Sequence, residues 1–455
     1  MSRKKRVPVL LIGISLCLAV FMFDIVRVEA AWEPSDKVSK EEMVKISKTV
    51  LAMPEIKIKK TEDIFRIRTV DMDWDIGVMV YEPEDPSKIP IGPDGKKAGI
   101  FLLHGGTGDY KSMDRHATKL SGKFGYKVVS MTFPGRLYLL DPSRDWPGDT
   151  LYPDGTARTP LWSRESKITP DQYRVVKDQS KRKLYGTIIS LEAKEGTEFY
   201  YRMAGWPVAF DEGIQEACRR HLPQGEYSIY IHGHSTGGPF AFMACQRVPN
   251  IVGIIGYGTS PFGYTYQATG KGTWDFPFTW LRMRTWADTA RYMYEGIKDK
   301  GYGLAMMMEL VLEDWDVDKK RANFKAEDFI HKNSTKSLAD AARATAKRMQ
   351  LDPAATEALV QQYVGYCREL SGPGVKPVPP FLSIHGGDDD TVSIKHAQKV
   401  VPLFEAMKPS PKVRLVLLEI GTHDWTIVDK DFPDGTIPVV VKIWNDAILG
   451  GYYVK

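Results

Sequence analysis

Cysteine is scarce in this chain: four in 455 residues. A disulfide-stapled scaffold is therefore excluded. Cys17 lies in the N-terminal segment, leaving Cys218, Cys245 and Cys367, which cannot all pair among themselves. Buried free thiols are the plainer expectation for at least one of them. Long apolar runs are nearly absent as well. Past residue 23 no stretch approaches the roughly 20 residues of a membrane-spanning helix. Charge of one sign is also missing. Sixty-two Lys and Arg stand against 57 Asp and Glu, for a net charge of +5. That balance lacks the basic stripe of a nucleic-acid binder, so no nucleic-acid partner is expected. There is no internal repeat and no low-complexity tract.

What is present is ordinary globular material, 43% hydrophobic and 26% charged, enough for a sizeable core. Arg3, Lys4, Lys5 and Arg6 precede an apolar run over residues 7–23, and Val28, Glu29 and Ala30 offer small residues before Ala31. Residues 1–30 therefore read as an export signal cleaved near Ala30, which puts the mature chain in a periplasmic or extracellular location. An uncleaved anchor is the alternative, and it would be the chain's one route to a membrane. Leu16 before Cys17 is not the small residue that a lipid anchor wants.

Along the rest, residues 37–53 read as an amphipathic helix, and 65–70 and 77–81 as strands. The alternating Asp71, Asp73 and Asp75 suggest a calcium loop. However, Ile76 stands where such a loop needs Gly, and strands flank it, so a hairpin turn is expected and no metal. Residues 98–103 form an unbroken apolar run, as a strand buried on both faces does. Helix 114–124 and strand 126–132 follow, which is the strand–helix–strand signal of a doubly wound sheet. Residues 136–204 break the pattern and read as an insertion, with a hairpin expected between 185–192 and 198–203. The pattern resumes with helix 206–222, strand 227–231, helix 237–247 and strand 251–257. Residues 260–375 are a second insertion, rich in Trp and Tyr at its start, with helices expected at 305–312, 337–349 and 354–370. It reads as a helical cap over the site. Strand 380–384, helix 394–407, strand 413–419 and helix 439–449 complete a domain spanning 31–455.

The stretch that carries chemistry is Gly233-His234-Ser235-Thr236-Gly237. A strand that turns at once into a helix forces its Ser into a strained backbone, and side chains two positions away would collide. The Ser then sits at a helix N-terminus. A Ser hydroxyl is a poor nucleophile without a base, and the base needs an acid to orient it. Nine His are present. His116 and His396 fall in helices. His104, His232 and His234 fall in turns whose backbone is the point. His221 ends a helix, His331 lies in the second insertion, and His385 begins the turn that carries the acid. His423 lies just past the last strand, on the sheet edge where catalytic groups gather, and is the expected base. For the acid, Asp388, Asp389 and Asp390 are adjacent after the preceding strand.

The order Ser, Asp, His is that of the α/β-hydrolases. Gly233 to Gly238 resembles that superfamily's nucleophile elbow. His385-Gly386-x-x-Asp389-x-x-Val392 resembles its acid turn, and Gly421-x-His423 its histidine loop. The resemblance covers the core segments, about half the chain, and neither insertion. It implies an α/β-hydrolase fold with a mostly parallel central sheet, helices on both faces and a cap insertion. Its register selects Asp389 as the acid. The N–H of Thr236 would be one oxyanion donor, and Gly106, after His104-Gly105, would be the other. The implied activity is that of an exported serine hydrolase cleaving a small-molecule or polymer ester through an acyl-enzyme. No cofactor is required. The same triad could serve an amide, a thioester or a carbon–carbon bond, and a binding protein on the same fold is the alternative of another class.

Overall fold

The computed structural model describes residues 36–105, 109–135, 137, 162–166, 169–178, 188–194, 196–235, 237–259, 315–316, 321–322, 335–364, 376–389, 394 and 409–454. Residues 1–30, the helices expected at 305–312 and 394–407 and the aromatic start of the second insertion lie outside them, except for Ile394, which is helical. The described residues begin with a short strand, β1 (Asp36–Val38), where the sequence pattern predicts helix. Ser39 separates the two states. Its hydroxyl accepts from Glu42 N at 3.2 Å and caps α1 (Lys40–Ala52), so the helix starts three residues later than its apolar pattern.

β2 (Ile58–Thr69) and β3 (Met72–Pro83) form a long antiparallel hairpin. Val70 and Asp71 both take positive φ, 46° and 55°, as a two-residue hairpin turn with matched twist demands. The alternating acids belong to the strand pairing. Asp75 stands opposite Arg66 and Asp73 opposite Arg68 in the register. Arg66 Nε donates to Asp75 Oδ1 at 2.7 Å, and Arg68 Nη1 to Asp73 Oδ1 at 3.0 Å. Asp75 is buried and also accepts from Arg164 N at 2.8 Å.

β4 (Lys97–Leu103), α2 (Asp114–Phe124) and β5 (Lys127–Met131) are the predicted strand–helix–strand unit. In β4, Ile100 and Leu102 join one core cluster while Phe101 and Leu103 join the other, so consecutive side chains fill opposite faces of the sheet. That two-sided burial is why the run is unbroken. Next come β6 (Tyr173–Asp178), β7 (Ile188–Ala193) and α3 (Glu198–His221). Here the expectation is corrected. The first insertion's hairpin joins β6 to β7, and residues 198–203 are the first turns of α3. Thr197 caps that helix by accepting from Tyr200 N at 3.3 Å. Phe199, Trp206, Phe210, Ile214 and Ala217 are buried at helical spacing, which overrides the strand preference of the aromatics at 199–201.

β8 (Tyr227–His234), α4 (Gly237–Arg247) and β9 (Ile251–Tyr257) follow. His232 and His234 are therefore strand residues, not turn residues, and His385 likewise lies in a strand. The second insertion contributes β10 (Trp315–Asp316), β11 (Arg321–Ala322), α5 (Thr335–Met349) and α6 (Pro353–Val364). These two helices pack on the domain through α3 and the β2–β3 turn. The Tyr363 hydroxyl donates to Ala204 O at 3.0 Å, and Arg348 Nη1 to Val70 O at 3.1 Å. β12 (Phe381–Gly386), β13 (Val413–Leu418) and α7 (Ile437–Leu449) close the chain.

Nine strands form one sheet in the order β1-β13-β12-β9-β8-β4-β5-β3-β2. All pairs from β1 to β5 are parallel; β3 and β2 are added antiparallel. β4 connects to β5 on one side and lies against β8 on the other, so the winding reverses between β4 and β8. A crevice opens at such a reversal, at the C-terminal ends of the strands. Cys218 and Cys245 are both buried, and Cys218 is a free thiol. Burial pushes the Cys218 thiol far up from its ordinary value, as for an inert core cysteine.

Candidate active site

Ser235 follows β8 directly, and α4 begins two residues later. Its φ is +52°, a region that costs a non-glycine residue about 1 kcal/mol or more. The strain is held by backbone contacts. Ser235 N donates to Tyr257 O at 3.3 Å, Gly238 N donates to Ser235 O at 3.1 Å, and the Thr259 hydroxyl also donates to Ser235 O. The flanking glycines are steric necessities. A Cβ on Gly233 would stand 2.5 Å from the carbonyl carbon of Gly237, and one on Gly237 would stand 2.7 Å from His104 O.

Asp389 follows β12 and is fully shielded, its side chain 0% exposed. His423 lies in the loop after β13, its side chain 13% exposed. The structure brings these two together: His423 Nδ1 lies 3.0 Å from Asp389 Oδ2. The carboxylate accepts, so Nδ1 is the protonated nitrogen. Of the neighbouring acids, Asp388 is exposed as expected but has its own task. Its Oδ2 accepts from Gly421 N at 3.0 Å, and its N donates to Gly421 O at 3.0 Å, tying the acid turn to the histidine loop. Asp390 lies outside the described residues.

A reversal-wound parallel sheet thus carries Ser235 after β8, Asp389 after β12 and His423 after β13, all on one edge. The chain has an α/β-hydrolase fold. No family model matches it and no curated protein matches it. It is similar to solved structures of low identity. A bacterial membrane phospholipase A is 14% identical with a TM-score of 0.34, covering 98% of this chain and 99% of that one. An esterase from Thermogutta terrifontis is 11% identical with a TM-score of 0.33, covering 85% and 99%. An S-formylglutathione hydrolase from Staphylococcus aureus is 10% identical with a TM-score of 0.36, covering 86% and 98%.

Three residues around this site escape sequence reasoning. Gly258, just past β9, has a φ of +51°, and a Cβ there would meet Asp389 Oδ2 at 2.8 Å and His423 Nδ1 at 2.9 Å. Its bare Cα makes room for the Asp389–His423 contact. The signal available was a Gly at the C-terminal end of a buried parallel strand, on the edge that holds the other candidates. Thr259 is fully buried; its side chain meets the elbow at Ser235 O and crowds Gly238. His234 is buried, its Nε2 3.0 Å from His423 O and its ring centroid 3.9 Å from that of Trp425. Burial holds the His234 imidazole well below its usual value, and positive charge on His423 would push the same way. The ring is therefore neutral near pH 7.

The expected oxyanion donors, Gly106 and Thr236, lie outside the described residues. Their neighbours are described. Gly105 packs against Ser235, a Cβ on it standing 3.2 Å from Ser235 Cβ. The turn after β4 therefore reaches Ser235. Among the described residues, no group of three or more His, Cys, Asp or Glu is arranged to hold a metal ion.

Proposed function

We propose that this chain is a serine hydrolase that cleaves a carboxylic ester. The reading is supported above all by His423 Nδ1 at 3.0 Å from the buried Asp389, on the strand edge where Ser235 sits in a strained turn. With Nδ1 committed to Asp389, Nε2 of His423 is the nitrogen that takes the serine proton. Ser235 Oγ adds to the acyl carbon as its proton moves to His423 Nε2. The tetrahedral oxyanion is held by the N–H groups of Thr236 and Gly106. The C–O bond to the leaving alcohol then breaks, and the alcohol departs with the proton from His423. Water repeats the sequence on the acyl-enzyme, releasing the acid and restoring Ser235. Asp389 keeps His423 in the right tautomer and stabilises the imidazolium while it exists. The substrate is a small-molecule or polymer ester chosen by the insertions. Residues 1–30 direct export and are removed near Ala30.

The test is a panel of p-nitrophenyl esters of increasing acyl length, run on wild type and Ser235→Ala. Turnover by wild type that Ser235→Ala abolishes supports the reading. No turnover on any member rejects a simple esterase. Separately, exported protein should begin at Ala31; an intact N-terminus on that material rejects the cleaved signal.

A further inference from the structure

His234 stands between Gly233 and Ser235, next to the proposed nucleophile in the chain. Its ring touches three parts of the site. Nε2 lies 3.0 Å from His423 O; a carbonyl only accepts, so this nitrogen carries the hydrogen. In a neutral ring Nδ1 is then bare, and it is pressed against the turn after β4, where a Cβ on Gly105 would stand 2.7 Å from it. One face lies on Trp425, at 3.9 Å between centroids, and the His423 ring is 4.8 Å away.

We propose that His234 is a positioning residue for hydrolysis: its Nε2–H holds the backbone of His423, so the base is registered against Ser235 by the residue joined to the nucleophile. This inference rests on the proposed roles of Ser235 and His423. The physical case is one of linkage. Ser235 and His234 belong to the same strand end and move as one piece. His423 sits on a loop that is also tied down at its flanks, by the Tyr257 hydroxyl to Thr422 O at 2.9 Å and by Gly421 N to Asp388. Those bonds fix the loop to β9 and to the acid turn. The bond from His234 fixes His423 itself to the elbow, and so sets the separation that proton transfer needs. A reacting pair misplaced by about 1 Å loses on the order of 100-fold in rate.

The test compares two side chains of nearly equal length. His234→Gln keeps an N–H near the position of Nε2, and His234→Met does not. Both lose the tilted ring contact with Trp425, so any general loss of packing is shared, and thermal midpoints report it. The readout is the second-order rate of Ser235 labelling by a fluorophosphonate, which needs no knowledge of the natural substrate. His234→Met should label about 10- to 100-fold more slowly than wild type, and His234→Gln should recover most of the rate. Equal rates for Gln and Met variants of unchanged fold would overturn the proposal. If His234→Met does not fold, His234→Phe, which keeps a ring on Trp425 without the donor, serves instead. A wild-type rate in that variant also overturns it. Failure of wild type to label at Ser235 would reject the nucleophile assignment itself, a different result from equal labelling of the variants.

Discussion

Gly258→Ala should disable the site while leaving the fold in place. The residue has a φ of +51°, so any L side chain carries a left-handed penalty of about 1–2 kcal/mol. The added methyl would also stand 2.8 Å from Asp389 Oδ2 and 2.9 Å from His423 Nδ1, where ordinary contact begins at 3.4 Å. Unless the methyl itself is displaced, both must move by roughly half an ångström, and the 3.0 Å bond between them must stretch or bend. A displacement of that order should cost about 10- to 100-fold in rate, or roughly 1.4–2.7 kcal/mol of transition-state stabilisation. Gly95→Ala is the matched control. Its φ is +82°, but a Cβ there meets nothing within 4 Å. Both variants should lose thermal stability, a few degrees in midpoint, Gly258→Ala the more because of its added clash, and only Gly258→Ala should lose activity. The assay is the fluorophosphonate labelling rate beside a thermal melt. If Gly258→Ala labels at the rate of Gly95→Ala, the space around the Asp389–His423 pair is not limiting and the reasoning fails.

Other outcomes follow from the same geometry. Asp389→Asn should keep the fold but lower turnover by about 10,000-fold, because the amide favours the wrong His423 tautomer; a loss under tenfold in ester hydrolysis would contradict that role. Thr259→Val removes the buried hydroxyl that donates to Ser235 O, and should destabilise the protein by about 1–3 kcal/mol in urea titration. A neutral result would mean that the elbow does not need that support. His116 is buried against Trp425 and Trp444, and burial holds its imidazole well below the usual value. A depressed folded value means that its contribution is intact above the unfolded value, about 6.5, and is lost as pH falls below it. His116→Phe should therefore move the acid-unfolding midpoint to lower pH, and an unmoved midpoint would show that His116 does not govern the acid limb.

The parts of this fold that the sequence displays are those where one physical rule acts alone. Residues 98–103 and Ile251–Tyr257 carry no charged residue because both faces of a parallel strand are covered, and both strands lie where the pattern puts them. Gly125 at φ +78° ends α2 as an αL cap, and the predicted helix stops at the same residue. Competing rules hide the rest. At 199–201 three aromatics favour a strand, while Thr197 offers a cap and the longer apolar spacing wants a helix; the helix wins because Phe199 packs with Trp162 in the core. The short β1 is invisible locally, since its only support is pairing with Val416–Leu418 across the chain. In the site, Ser235, Asp389 and His423, the proposed catalytic residues, lie in short motifs that their neighbours advertise. Gly258, Thr259 and His234 act through contacts 21 to 191 positions distant in sequence, which no local pattern records.

The central claim is that Ser235 is a nucleophile activated by His423, and labelling followed by peptide mapping tests it most directly. Wild type incubated with a fluorophosphonate should gain the mass of one phosphonyl group, located on the peptide that contains Ser235. Ser235→Ala should gain none, and His423→Ala should gain it far more slowly. Labelling of Ser235→Ala at the wild-type rate, or an adduct mapped to any other residue, would contradict the account.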